Sequence, residues 1–138
     1  LKYDVVCNPP YFESKISTQR ITNEDDLALI GTGAHGLNLY RDCLKSILNY
    51  SNPCIMKDQG VIIFQVPASK KGYVRVKQLF KKVIQDHKKE QQQSASNFSK
   101  GNKHQTLSNN VTILPDNEGI DGRGIKRCII LRYNSSSK

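Results

Sequence analysis

The sequence predicts an α/β fold in which an open, mostly parallel sheet finishes in an antiparallel hairpin. Short runs rich in β-branched residues alternate with two segments of helical periodicity. The run Val61-Ile62-Ile63-Phe64-Gln65-Val66 is nearly continuous in apolar residues, the pattern of a parallel strand covered on both faces. Two closing runs are joined by a connection containing Gly119, Gly122 and Gly124, which suits an antiparallel pair.

Each element has its own signal. Tyr3–Cys7 is a short β-rich run, and Asn8-Pro9-Pro10 ends it because neither proline offers an N–H to a ladder. Residues 12–35 are polar, carry the acidic trio Glu24, Asp25 and Asp26, and read as a long loop. From Leu37 to Tyr50 the apolar positions Leu37, Tyr40, Leu44, Ile47 and Leu48 make one helical face, and Pro53 stands just past its end. After the turn at Gln59-Gly60 comes the Val61–Val66 strand. Val76, Leu79, Phe80, Val83 and Ile84 then fall at i, i+3, i+4, i+7 and i+8, an amphipathic helix over about 72–88 with Lys77, Lys81, Lys82 and Lys88 outside its apolar face. Residues 89–110 are Lys, Gln, Ser, Asn and His with few large apolar groups, so they are expected to form a mobile, low-complexity insertion. Val111–Leu114 and Cys128–Tyr133 are the last two strands.

A length of 138 residues suits a single domain with a sizeable core. The longest apolar runs are far short of the roughly 20 residues of a membrane-spanning helix. The chain opens on Leu1 and runs straight into a strand, and is expected to continue upstream. Cys7, Cys43, Cys54 and Cys128 include no C-x-x-C pair, which speaks against a zinc site and a disulfide framework and for buried thiols in a reducing compartment. The formal charge of +9 is unevenly placed. Residues 1–69 hold six basic and seven acidic side chains, whereas residues 70–103 hold ten basic and two acidic ones. That segment is either a solvated helix face with a lysine-bearing tail or a contact for RNA.

The sharpest chemical feature is Asn8-Pro9-Pro10-Tyr11, at the carboxyl end of the first strand, where open α/β sheets bind ligands. An amide nitrogen is a poor nucleophile because its lone pair is delocalised. To attack a methyl donor it needs both N–H groups held by acceptors. The Asn8 side-chain carbonyl and the Pro9 backbone carbonyl can be those acceptors, with two prolines fixing the backbone and removing competing donors. Tyr11 can lay its ring against the planar group. The plainer alternative is a Pro-Pro turn with an ordinary surface tyrosine.

Tyr3–Tyr11, Y-D-V-V-C-N-P-P-Y, resembles the acceptor motif of class I S-adenosylmethionine-dependent amino-methyltransferases. Glu24–Leu44, E-D-D-L-A-L-I-G-T-G-A-H-G-L-N-L-Y-R-D-C-L, resembles the HemK/PrmC signature in which a leucine-rich segment and glycine loop precede G-L-x-x-Y-R. Gly60–Val66 is similar to that family's G-x-L-x-x-E-I strand, with Gln65 where the family has an acid. Gly122–Arg132 is similar to its closing G-x-x-R-x-x-x-x-x-R strand. The resemblance runs over nearly the whole chain outside residues 88–110. It implies the C-terminal half of a Rossmann-like class I methyltransferase sheet, and transfer of methyl from S-adenosylmethionine to the GGQ glutamine of a class I peptide chain release factor. It assigns Asn8, Pro9, Pro10 and Tyr11 to the glutamine amide, with Asn8 and Pro9 as the catalytic pair and Asn8 also beside the cofactor. The family's glycine-rich cofactor turn and ribose-binding acid precede the acceptor motif and are not among these residues.

Gly31-Thr32-Gly33-Ala34-His35-Gly36 fits G-x-G-x-x-G, but no acid closes a following strand about 20 residues on, and its position matches the family's substrate-side loop. His35, His87 and His104 lack partners at metal spacing. Asp4 is open to a backbone or a cofactor bond, and Arg41 to an ion pair with the acidic trio or plain exposure. Two other functions fit the sequence: a nucleic-acid N-methyltransferase acting on an exocyclic amine, and a non-catalytic RNA-binding module using the basic segment. Free thiols, a polar insertion and the organellar substrates of eukaryotic HemK-like enzymes point to mitochondria, with the cytoplasm as the alternative.

Overall fold

A computed structural model describes residues 4–11, 31–49, 60–97, 109–115 and 120–135. They form a mixed α/β structure with a four-stranded sheet and two helices. In chain order these are β1 (Val5–Cys7), α1 (Asn38–Asn49), β2 (Val61–Gln65), α2 (Lys70–Asn97), β3 (Asn109–Ile113) and β4 (Cys128–Ser135). The spatial order is β1-β2-β4-β3, so the last strand inserts between β2 and β3. β1 runs parallel to β2, while β4 is antiparallel to both its neighbours. The closing hairpin is as expected; the mostly parallel sheet is not, since two of the three described pairings are antiparallel.

Register decides which side chains share a face. Val5 pairs with Ile62 and Cys7 with Phe64; Ile62 in turn opposes Leu131, and Phe64 opposes Ile129. Period-2 alternation therefore sends all of these to one side, with Tyr133 and Val111 continuing the same row. Both helices cover that side. Tyr40 of α1 and Phe80 of α2 each pack on Phe64, with ring centroids 6.2 and 4.7 Å away, and their own rings lie 6.2 Å apart. All three are fully buried, each burial stabilising by about 1.5–3 kcal/mol. Around them Leu44, Leu48, Val76 and Val83 complete the helical side of the core. The opposite side carries Val6, Ile63 and Ile130, and Val6 is 77% exposed. This corrects the expectation of a β2 covered on both faces: Ile62 and Phe64 are buried, Val61, Ile63 and Gln65 only half so.

The amphipathic face of α2 lies where the periodicity predicts, but the helix runs to Asn97 rather than ending near 88. Lys, Glu, Gln and Ala in 89–97 are good helix formers, and they extend a helix already anchored by Val76, Phe80 and Val83. The expected 89–110 insertion is thus helical in its first part, while residues 98–108 lie outside the described residues. Ser69 starts α2 by accepting the Gly72 N–H at 3.0 Å on its hydroxyl, an N-cap. No helix among the described residues is long and apolar enough to cross a membrane.

Candidate functional site

Because β1 and β2 are parallel, their carboxyl ends meet at one edge of the sheet. Cys7 pairs with Phe64, so Asn8 follows on one strand where Gln65 follows on the other. Asn8 is exposed, Pro9 is buried, and Pro10 and Tyr11 are half-buried. The backbone after β2 passes Pro67 and Ser69 and enters α2 at the same edge.

The glycine loop is brought onto this turn by close backbone approach. A Cβ on Gly31 would lie 2.6 Å from the Pro10 carbonyl oxygen and clash with Gly36. One on Gly36 would lie 2.9 Å from the Tyr11 carbonyl oxygen, and Gly36 has φ +68°, a conformation that favours glycine. Between them Ala34–Gly36 forms a short 3-10 turn in which His35 has φ 58°. A non-glycine residue there costs about 1–3 kcal/mol, and such conformations cluster at functional sites. The G-x-G-x-x-G stretch therefore packs against the Pro10–Tyr11 backbone.

Tyr11, His35, Leu37, Pro67, Lys71 and Arg75 are among the residues lining a cleft of about 310 Å³ at this edge. Two cations and a histidine thus flank the turn on which the resemblance places an uncharged amide. Lys71, Arg75 and His35 were not singled out from sequence as site residues. The signals present were the glycine pattern around His35 and the charge excess that begins at residue 70, but neither shows that α2 starts beside Tyr11. A larger cleft of about 430 Å³ lies between the start of α2 and the 124–126 segment; Tyr73, Val74 and Lys126 line it and none of the predicted site residues does.

Buried Tyr40 supports the site from below. Its hydroxyl donates to the Gln65 carbonyl at 2.7 Å, tying α1 to the end of β2. Burial, with a smaller contribution from the neighbouring Tyr11 phenol, pushes its ionisation far above the ordinary tyrosine range. Gln65 is held through its backbone carbonyl. The Cys7 thiol is pushed up by burial and then by Cys43, and Cys43 by burial and then by Asp42, so neither is an activated nucleophile. Cys7, Cys43 and Cys128 are free thiols; Cys54 lies outside the described residues.

The Asp4 carboxylate accepts the Val61 N–H at 2.8 Å, a side-chain-to-backbone bond that ties the start of β1 to β2. Arg41 pairs with Asp42 at 3.0 Å on the surface, while the acidic trio lies outside the described residues. His87 shares a 2.9 Å hydrogen bond with Gln91 on α2, and His104 is outside the described residues. For S-adenosylmethionine, Asn8 is exposed at the carboxyl end of β1, where the single contact that the resemblance assigns would be made. Comparison with protein-family models, curated proteins and solved structures finds no match for this chain.

Proposed function

We propose that this chain is the acceptor-side, C-terminal half of a Rossmann-like class I methyltransferase domain, and that the protein carrying it methylates the N5 of the GGQ glutamine in a class I peptide chain release factor. The reading is supported by one juxtaposition above all. Asn8-Pro9-Pro10-Tyr11 leaves the carboxyl end of a parallel strand, and the glycine loop lies against the backbone of Pro10 and Tyr11. S-adenosylmethionine supplies the electrophilic methyl group in this chemistry. The chain's own residues do the rest. The Asn8 side-chain carbonyl and the Pro9 backbone carbonyl accept the two amide N–H groups, which turns the nitrogen lone pair away from both. Neutral acceptors suit this task, since the proton leaves only after charge develops on nitrogen. Tyr11 holds the amide plane, and the Tyr40 anchor keeps the strand end in place. Service to an organellar release factor places the protein in mitochondria.

The test is methyl transfer from labelled S-adenosylmethionine to a release factor, using the protein that carries this chain. Asn8→Ala is expected to lower the rate by at least a hundredfold while cofactor affinity falls less. Undiminished glutamine methylation by that variant would remove the acceptor assignment.

A second reading draws on the cationic side of the cleft. Lys71 and Arg75 beside Tyr11 would favour a nucleic-acid acceptor with an exocyclic amine. Label appearing in RNA or DNA and not in a GGQ protein decides for it.

A further inference from the structure

We propose that the outward edge of α2, leading away from the cleft at Tyr11, binds the phosphate backbone of a single-stranded nucleic acid. Lys71, Arg75, Gln78 and Lys82 follow one another at i, i+4, i+7 and i+11, one row along the helix. Lys71, Gln78 and Lys82 are exposed and Arg75 is half-buried. Every member of the row offers N–H donors. From Lys70 to Gln85 the helix carries six cations and no acid. Its two acids, Asp86 and Glu90, stand farther along, where they share a cleft with Lys45, His87 and Lys89.

The geometry favours a strand of phosphates over a lone carboxylate. At 1.5 Å per residue the row spans about 16 Å. Every nucleotide of a single strand carries one phosphate, so each of the row's three cations can meet a phosphate along that length. An acidic peptide need not carry a charge on every residue. The head of the row also carries an aromatic ring, since Lys71, Arg75 and half-buried Tyr11 line one cleft. A basic track ending on an aromatic platform is how unpaired strands are held, the base stacking on the ring while the cations follow the backbone. A duplex offers no free base for Tyr11.

This inference shares Tyr11 with the proposed acceptor site but is tested independently of it, because strand binding is read without any methyl donor. The experiment is fluorescence anisotropy of labelled 12-nucleotide single-stranded RNA and DNA with the full chain, between 50 and 200 mM salt. Affinity is expected to fall steeply with salt, by about 0.7 in log–log slope for each phosphate neutralised. K71E/R75E/K82E is expected to weaken binding by tenfold or more and to flatten that slope. The milder K71Q/R75Q/K82Q set guards against misfolding and is expected to act in the same direction. K70E/K81E/K88E makes the same charge change at three exposed lysines on another side of the helix and is expected to cost less than threefold. Equal losses from the two glutamate sets overturn the assignment to this row. So does equal affinity for polyglutamate, which would mark an acidic protein as the partner, or binding that salt leaves unchanged. Preference between the RNA and the DNA probe identifies the strand type.

Discussion

The Tyr40 hydroxyl donates to the backbone carbonyl of Gln65 at 2.7 Å, across a sequence separation of 25 residues. This bond joins α1 to the last residue of β2, and the same ring packs on Phe64 and Phe80. One side chain thus fixes both helices relative to the sheet edge that carries Asn8.

Tyr40→Phe keeps the ring and leaves the Gln65 carbonyl without its donor. It is expected to cost about 1–3 kcal/mol, measured by urea unfolding at pH 7. The pH dependence has a definite sign. The folded-state ionisation of Tyr40 is raised above the ordinary value of 10.0, so its contribution is complete below pH 10 and is lost as pH rises through the folded-state value. Wild-type stability should therefore decline above pH 10 more steeply than that of Tyr40→Phe. Parallel curves for the two proteins would contradict this.

Gly31→Ala tests how the glycine loop meets the turn at Pro10. The added methyl would sit 2.6 Å from the Pro10 carbonyl oxygen, and that neighbour is backbone that cannot swing aside. An overpacking cost of about 1–3 kcal/mol is expected, read as a lowered thermal midpoint. Gly122→Ala is the control, because a Cβ there meets nothing within 4 Å. A larger loss at Gly122 than at Gly31 would refute the contact.

Phe64 is the centre of the aromatic cluster and fully buried. Phe64→Ala is expected to destabilise by about 3–5 kcal/mol, because it leaves a cavity between both helices and β2. Phe64→Leu should recover much of that loss. Denaturant titration of the two variants distinguishes a packed core from a loosely filled one, in which both changes would cost little.

Val6 is 77% exposed, and among the described residues its strand pairs only with β2. An apolar edge strand invites pairing with other chains, and lysine on an edge discourages it. Val6→Lys is expected to reduce concentration-dependent association in sedimentation velocity while changing stability by no more than about 0.5 kcal/mol. Unchanged association would show that this edge is not where chains meet.

Much of the fold was legible from periodicity alone. Leu44, Leu48, Val76, Phe80 and Val83 are buried where the helical spacing placed them, and Ile62 and Phe64 where the apolar run did. Those patterns are local, and hydrophobic burial enforces them whatever the partner. The end of β1 at Cys7 was readable for a similar reason, since an asparagine and two prolines dictate a strand end by themselves. What neighbours that end was not. The insertion of β4 between β2 and β3 depends on long-range pairing that no local pattern encodes. Placement of both helices on one side of the sheet depends on which face the core occupies. The charge excess of residues 70–103 looked in sequence like a property of a helix face and a tail. Only the tertiary structure puts its first members, Lys71 and Arg75, beside Tyr11, because a parallel strand pair brings the end of β1 and the start of α2 to one edge.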